Sequence, residues 1–356
     1  MLVSFPPTAR ADAGDWRAAF DTLLYVDDDH VTVVSPQATV AADLDDDGGE
    51  VHARAVVDVV SAASVDVISH ATNGFQETRV GAELAASHRV GEWLPELRLV
   101  TSSEPDYLSL GAGASVVRRL GGPDTVLRVG WDSLHDDVGQ TGTSFDVWSR
   151  TLWTHALDLS LAQNLDDRTV VRGTYTLTVQ DGYQAKPYRY VPLFDESGNR
   201  LSERPPEAVP ELRVRHALAL RALRWFPQLS LSVRADYRYY VDSWALQAHT
   251  LELAVVVPLG TGVRMSVLNR AHYQTSASFW QREYVLGMDG ELPRYRSLDR
   301  DLSREFVDTA SLRVDWQRGA WRTYLDVGGQ YSRFFDFLLL DTRSALLLQL
   351  GLRYSP

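Results

Sequence analysis

From Leu229 to Tyr239 every second residue is apolar or aromatic (Leu229, Leu231, Val233, Ala235, Tyr237, Tyr239). The residues between them (Ser230, Ser232, Arg234, Asp236, Arg238) are polar. Successive side chains of an extended strand point to opposite faces, so this stretch has one greasy face and one wet face. The same register recurs at Val171, Gly173, Tyr175, Leu177 and Val179, with Arg172, Thr174, Thr176, Thr178 and Gln180 between them. It returns at Trp321, Thr323, Leu325 and Val327 against Arg322, Tyr324 and Asp326, and closes with Leu346, Leu348, Leu350, Leu352 and Tyr354. No long window carries a 3.6-residue period. The chain reads as all-β.

Turn signals divide the strands unevenly. Tight connections fall at Asp45-Asp46-Asp47-Gly48-Gly49, Val90-Gly91, Gly121-Gly122-Pro123-Asp124, Asp166-Asp167, Pro227-Gln228, Gly260-Thr261-Gly262 and Arg318-Gly319. Longer connections lie between them, around residues 61–75, 103–106, 134–143, 181–208, 241–246, 279–306 and 335–342. An up-and-down barrel has tight turns on one rim and longer loops on the other. Counting back from Tyr354 gives 15 strands, and one more over Ala18–Val26, before the Asp27-Asp28-Asp29 corner, makes 16. An even count returns both termini to the tight-turn rim, as in single-chain bacterial barrels. The expected division is an N-terminal segment over 1–17, a signal remnant or periplasmic lead-in, and a barrel over 18–356. Ala9-Arg10-Ala11 has the small-x-small form of an export cleavage site, without the charged start and apolar run that precede one.

Alternation alone does not say which face is inside. A soluble sandwich turns its apolar residues inward, whereas a membrane barrel turns them out to lipid. Three features favour lipid. Arginines sit on the wet faces. Aromatics gather towards strand ends at Trp131, Trp153, Trp225, Tyr237, Tyr239, Tyr273, Trp316, Trp321, Tyr331 and Tyr354, in a chain with 10 Trp and 15 Tyr. The strands reach the ~9–11 residues that cross a bilayer, against ~5–6 in ordinary soluble sheets. A soluble propeller would repeat every ~40 residues, and no such repeat is visible. The prediction is a transmembrane antiparallel β-barrel of about 16 strands in a bacterial outer membrane, held by outer-membrane lipid and assembled by the barrel-assembly machinery.

Composition removes other classes. With no Cys there is no disulfide framework, thiolate metal site or cysteine nucleophile. Basic residues number 35 against 47 acidic, a net charge of −12, so no basic surface advertises nucleic acid. Lys186 is the only lysine; the other cations are arginines.

The stretch Tyr25-Val26-Asp27-Asp28-Asp29-His30-Val31-Thr32-Val33-Val34-Ser35-Pro36, the Val65-Asp66-Val67-Ile68-Ser69 segment and Glu77-Thr78-Arg79 resemble an uncharacterised family of bacterial outer-membrane barrels, a domain of unknown function. The resemblance extends over the whole chain and brings no catalytic residue. Members of that family are often encoded beside a small lipoprotein, a thioredoxin-like protein and a flavin-attaching transferase. The resemblance therefore implies a periplasmic lipoprotein or redox partner.

Asp43, Asp45, Asp47 and Gly48 open like a calcium loop, but its twelfth position, which needs an acid, is Arg54, and its eighth is Glu50. The expectation is a charged turn. Asp27–Asp29 offers carboxylates for a divalent cation bridging lipid phosphates, but the plainer reading is a solvated corner. None of the nine histidines forms an H-x-x-x-H pair or precedes a serine by two, which argues against a helical zinc site and a strand-borne His–Ser pair. His135-Asp136-Asp137 lies in a loop where a protease could place acids, on weak grounds. The chain is read as no enzyme, with no cofactor and no metal.

The wet-face arginines carry the functional reading. Arg54, Arg172, Arg213, Arg215, Arg234, Arg238, Arg264, Arg270 and Arg322, with Asp236, His272 and Asp326, are expected to line the lumen. Sixteen strands leave room for an aqueous channel, and a positive wall concentrates anions. The plainer reading is that the arginines pair with Asp58, Asp132, Asp158, Asp315 and Asp326. The expected function is a porin-like conduit for small polar or anionic solutes. The alternatives are a non-conducting scaffold plugged by its own loops or sheathing a partner, and a soluble all-β protein. The 181–208 loop, with Tyr183, Lys186, Tyr188, Tyr190 and Arg204, either folds inward as a constriction or stays outside.

Overall fold

The computed structural model describes residues 15–45, 48–60, 77–287, 290–337 and 340–356. The Ala9-Arg10-Ala11 triplet, Asp47, the Val65–Ser69 segment and His70 lie outside them. The strands are β1 (Trp16–Asp27), β2 (Thr32–Asp43), β3 (Glu50–Val60), β4 (Glu77–Ser87), β5 (Trp93–Glu104) and β6 (Tyr107–Arg119). There follow β7 (Thr125–Val138), β8 (Arg150–Asp166), β9 (Thr169–Gly182), the two-residue β10 (Leu193–Phe194), β11 (Leu212–Phe226) and β12 (Leu231–Asp242). The last are β13 (Gln247–Gly260), β14 (Val263–Gln274), the two-residue β15 (Tyr284–Val285), β16 (Glu305–Arg318), β17 (Trp321–Phe334) and β18 (Thr342–Tyr354).

All but β10 and β15 form one closed barrel of 16 strands, each antiparallel to its neighbours. β1 closes against β18, with Phe20 opposite Leu352 and Leu24 opposite Leu348. Closure leaves no unpaired strand edge, which a bilayer could not solvate. Barrel strands run from 11 residues in β3 to 17 in β8. Tight turns and both strand termini share one rim; the longer connections share the other. At the tight rim Gly262 holds a φ of +79°, and a Cβ there would lie 2.3 Å from the Gln317 carbonyl oxygen. Both the backbone angle and the space require glycine.

The apolar faces point outward. Leu97 and Leu99 on β5 are 69% and 61% exposed, and Leu218, Leu220, Leu251, Leu253, Leu346 and Leu350 are likewise exposed. No sheet-on-sheet core exists among the described residues; the wet faces meet inside. The soluble alternative is thereby overturned, because it requires these leucines to be buried against one another.

Aromatics mark two outer belts. Trp16, Trp321 and Tyr354 cluster at the tight rim, with ring centroids 5.0 and 4.8 Å from Tyr354. Towards the other rim, His155 stacks between Trp131 and Trp153, and the Tyr175 and Tyr237 hydroxyls each lie 2.7 Å from Nδ1 of His216 and His249. Trp321 and Tyr331 are ten residues apart on β17. That is ~33 Å of strand, which a tilt of ~40° shortens to ~25 Å, the height of an outer-membrane apolar band. Trp225 departs from the expected girdle: its pairing with Ser232, on the same face as Arg234 and Asp236, turns it towards the lumen.

Candidate functional site

Register fixes which way each luminal candidate faces. Arg221 pairs with Asp236, Asp236 with Glu252, and Glu252 with Arg270, so these four lie in one row across β11, β12, β13 and β14 on the inward face. Arg238, Thr250 and His272 form the next row towards the long-loop rim. By the same parity Arg54, Arg172, Arg213, Arg215, Arg234, Arg264, Arg322 and Asp326 face inward, opposite the exposed leucines and valines.

These inward cations fall into two groups. Arg213 binds Asp242 (Nε–Oδ2 2.8 Å) and stacks at 4.0 Å on the Trp244 ring. Asp242 also accepts from Tyr240 Oη and from the backbone N–H groups of Trp244 and Leu246. Arg221 and Arg234 clamp Asp236, and Arg234 reaches Glu252. Arg313 and Arg322 share Asp315, each with a contact of 3.0 Å. Arg54, Arg172, Arg215, Arg238, Arg264 and Arg270 form the second group, with no hydrogen bond or ion pair among the described residues. The expected acidic partners divide as well. Asp132 takes Arg98 and Asp58 takes Arg79, but Asp158 accepts from Thr176 Oγ1 at 2.6 Å and holds no arginine.

The long-loop mouth carries a structure of its own. The β9–β11 and β14–β16 connections fold onto each other, with β10 and β15 paired in parallel. Val191, Leu193 and Tyr284 are fully buried between them, and a second cluster gathers Trp244, Leu246, Ala248, Ala277, Trp280 and Leu302. Burial raises the pKa of the Tyr284 phenol; the hydroxyl receives the Ser297 N–H at 2.7 Å. Arg189 bridges the two loops through Glu207 (3.2 Å) and Asp299 (2.5 Å), while Ser297 Oγ donates to Glu207. The assembly is tied at both ends. At one, Tyr188 donates to Asp106 beside β6, where Thr141 Oγ1 also donates at 3.0 Å; burial, and then the Asp106 carboxylate, raise the Tyr188 pKa and keep the phenol protonated. At the other, Arg300 pairs with Asp29 in the β1–β2 turn and donates to the Leu340 carbonyl at 3.0 Å.

The remaining motifs resolve into structure. Asp43 pairs with Arg17 at 3.0 Å, and Asp45 accepts from Gly49 N and meets His88 Nδ1, both at 2.8 Å. Asp27 accepts from Val31 N and Asp28 from Ser344 N, so the acidic corner holds the turn and receives Arg300. Strand parity splits His135-Asp136-Asp137, with Asp136 buried on the inward face and the other two outward. One carboxylate oxygen from each of Glu77, Glu104 and Asp106 lies within 4.8 Å of the others, an arrangement able to take a cation. Asp106 is already engaged by Tyr188 and Thr141, and Lys186 acts electrostatically on Glu77 and Glu104.

Two features escaped the sequence reading. Arg353 faces the lumen on β18, hidden by its place among leucines. The partnership of the two long loops was invisible, although residues such as Val191, Leu193, Trp280 and Tyr284 are more apolar than solvated loops carry.

Comparison with curated proteins gives no match. Among solved structures the chain is similar to CdiB from Acinetobacter baumannii (TM-score 0.54, 8% identity, 95% of this chain and 60% of that one). It is also similar to a bacterial polysaccharide outer membrane secretin (TM-score 0.52, 8% identity, 97% of this chain and 99% of that one). A likeness to the siderophore receptor PirA from Acinetobacter baumannii has a TM-score of 0.47 at 11% identity, over 91% of this chain and 53% of that one. The chain thus spans between half and two thirds of PirA and CdiB. The likeness is one of fold; the closed barrel with its outward apolar belt is that of a bacterial outer-membrane protein set among lipid. Residues 65–318 match the family described as "Protein of unknown function (DUF3570)", and the chain belongs to that family.

Proposed function

We propose that the protein is a conduit for small polar solutes across the outer membrane, selective for anions. The observation that carries this reading is the set of inward guanidinium groups with no hydrogen bond or ion pair among the described residues: Arg54, Arg172, Arg215, Arg238, Arg264 and Arg270. A lumen built only for stability would pair its cations, as Arg213, Arg221 and Arg322 are paired. Unpaired charge on a low-dielectric wall raises the local concentration of counter-ions. The twelve expected pore-lining residues belong to this proposal as a set: the cations attract, Asp236 and Asp326 temper the field, and His272 adds a polar group to the wall. No catalysis is assigned. Single-channel recording of the full chain in planar bilayers under a potassium chloride gradient tests the reading. Discrete conductance with a reversal potential displaced towards that of chloride is expected; no conductance above a detergent blank overturns it.

A second reading is favoured by the loop assembly. Tied to Asp106 at one end and Asp29 at the other, it is built to hold the mouth closed, as a scaffold barrel would. A periplasmic lipoprotein or redox partner belongs to this reading. Pull-down of such a partner by the intact barrel, with absent conductance, supports the scaffold over the conduit.

A further inference from the structure

We infer that the lumen wall around β1 and β2 holds a binding subsite for a small oxyanion, a carboxylate or a phosphate, gripped by Arg54 and Arg353. This deepens the conduit reading and rests on it for the route by which solute arrives. Arg54, Thr39, Ala19 and Arg353 occupy one register row across β3, β2, β1 and β18. The two middle residues are short, so nothing bulky separates the two cations. Both arginines line a cavity of about 310 Å³ over the neighbouring inward row of Asp21, Gln37 and Val56, large enough for a small organic acid with several waters.

Charge in the cavity is unbalanced. Of its four arginines, Arg79 is held by Asp58 at 2.7 Å and Arg313 by Asp315 at 3.0 Å. Its other carboxylate, Asp21, accepts from Tyr324 Oη. Arg54 and Arg353 keep their guanidinium groups without a hydrogen bond or ion pair among the described residues, and the Nε of each is shut off from solvent with no acceptor. Each side chain as a whole is only half-buried, so an entering oxyanion meets its terminal guanidinium N–H groups, which have no acceptor among the described residues. The planar guanidinium fork matches carboxylate and phosphate oxygens two at a time. Gln37, Gln349 and Ser35 add neutral polar groups to the lining, suited to hydroxyl or carbonyl substituents of the same solute.

Titration calorimetry of the detergent-solubilised full chain with citrate, and separately with inorganic phosphate, tests the subsite. Saturable binding of at least one probe is expected. Loss of a charge-assisted contact from each arginine should weaken it about tenfold or more in R54Q/R353Q. R54K/R353K keeps both charges without the forks and is expected to fall between wild type and the glutamine variant. R118Q, on the outer face beside Trp93, should bind as wild type does. Heat-modifiable migration verifies that each variant is a closed barrel. Preference for citrate assigns the site to carboxylates, and preference for phosphate assigns it to phosphates. No saturable heat with either probe, or equal binding by wild type and R54Q/R353Q, overturns the inference. Calorimetry in micelles needs no current. Binding without conductance therefore keeps the subsite and removes the conduit, and conductance without binding does the reverse.

Discussion

The ring of Tyr324 lies so closely over Gly351 that a Cβ at position 351 would fall 1.9 Å from Tyr324 Cε1. The two are register partners on β17 and β18, and the ring's hydroxyl donates to Asp21 on β1, so one side chain spans the seam where the barrel closes. Gly351→Ala must displace the ring and break that bond. Overpacking of this kind costs about 1–3 kcal/mol. The urea midpoint of unfolding in detergent is expected to fall accordingly, and an unchanged midpoint refutes the seam role. Tyr324→Phe, which keeps the ring and loses the bond, should cost about 1–3 kcal/mol by stranding a buried acceptor.

Orientation is tested by charge placed on either face of one strand. Val327 and Gln330 both lie on β17 between the belts, Val327 outward and Gln330 inward. Arginine near the bilayer midplane of a barrel costs about 2–4 kcal/mol. Val327→Arg should show that loss in folding titrations into lipid vesicles. Gln330→Arg, facing water, should cost about 0.5 kcal/mol or less. Equal costs contradict a wet lumen.

Much of this architecture could be read directly from residue order. Leu346, Leu348, Leu350, Leu352 and Tyr354 fix the lipid face of β18 because a one-residue slip would turn Gln349 to hydrocarbon and the leucines to water. Loop-length alternation gave the strand count for the same reason: a closed antiparallel ring forces rims of opposite character. What stayed hidden depends on contacts between distant segments. Nothing near Arg189 in sequence announces Glu207 or Asp299, 110 residues beyond in the latter case. Trp225 looked like a girdle residue because composition reports aromaticity, while facing is set by its pairing with Ser232. The pairing state of each luminal arginine was likewise beyond reach, since Asp158 serves Thr176 while Asp315 serves two arginines.

Selectivity should follow the unpaired cations. Arg172→Ser, Arg238→Ser and Arg270→Ser together remove three inward charges without breaking an ion pair among the described residues. The reversal potential is expected to move towards that of potassium. The shift should be larger at 0.1 M salt, where the screening length is ~10 Å, than at 1 M, where it is ~3 Å. An identical reversal potential in the triple variant removes these residues from the conducting path.

The loop assembly should fail locally when its bridge is cut. The Glu207 side chain is 2% exposed, and Arg189→Gln leaves its carboxylate without its cation. Breaking one side of a buried pair costs about 3–5 kcal/mol. Hydrogen exchange is expected to accelerate across 183–211 and 290–304 while the barrel strands keep their protection. Uniform loosening of strands and loops would mean that the assembly is no separate unit.

Whether the assembly closes the mouth is decided by its two ties. Tyr188→Phe removes the donor to Asp106, and Arg300→Gln removes the ion pair to Asp29; each charge-assisted contact is worth about 1.5–3 kcal/mol. Either variant alone leaves one end attached, so a lid held at both ends should open appreciably only when both are released. The double variant is therefore expected to raise mean conductance beyond the sum of the single effects, with hydrogen exchange rising at both ends of the assembly. Faster exchange without any change in current would show the loops to be a surface structure beside the path. Raised current from Tyr188→Phe alone would place the moving part at the Asp106 end, where Lys186 acts on the Glu77 and Glu104 carboxylates.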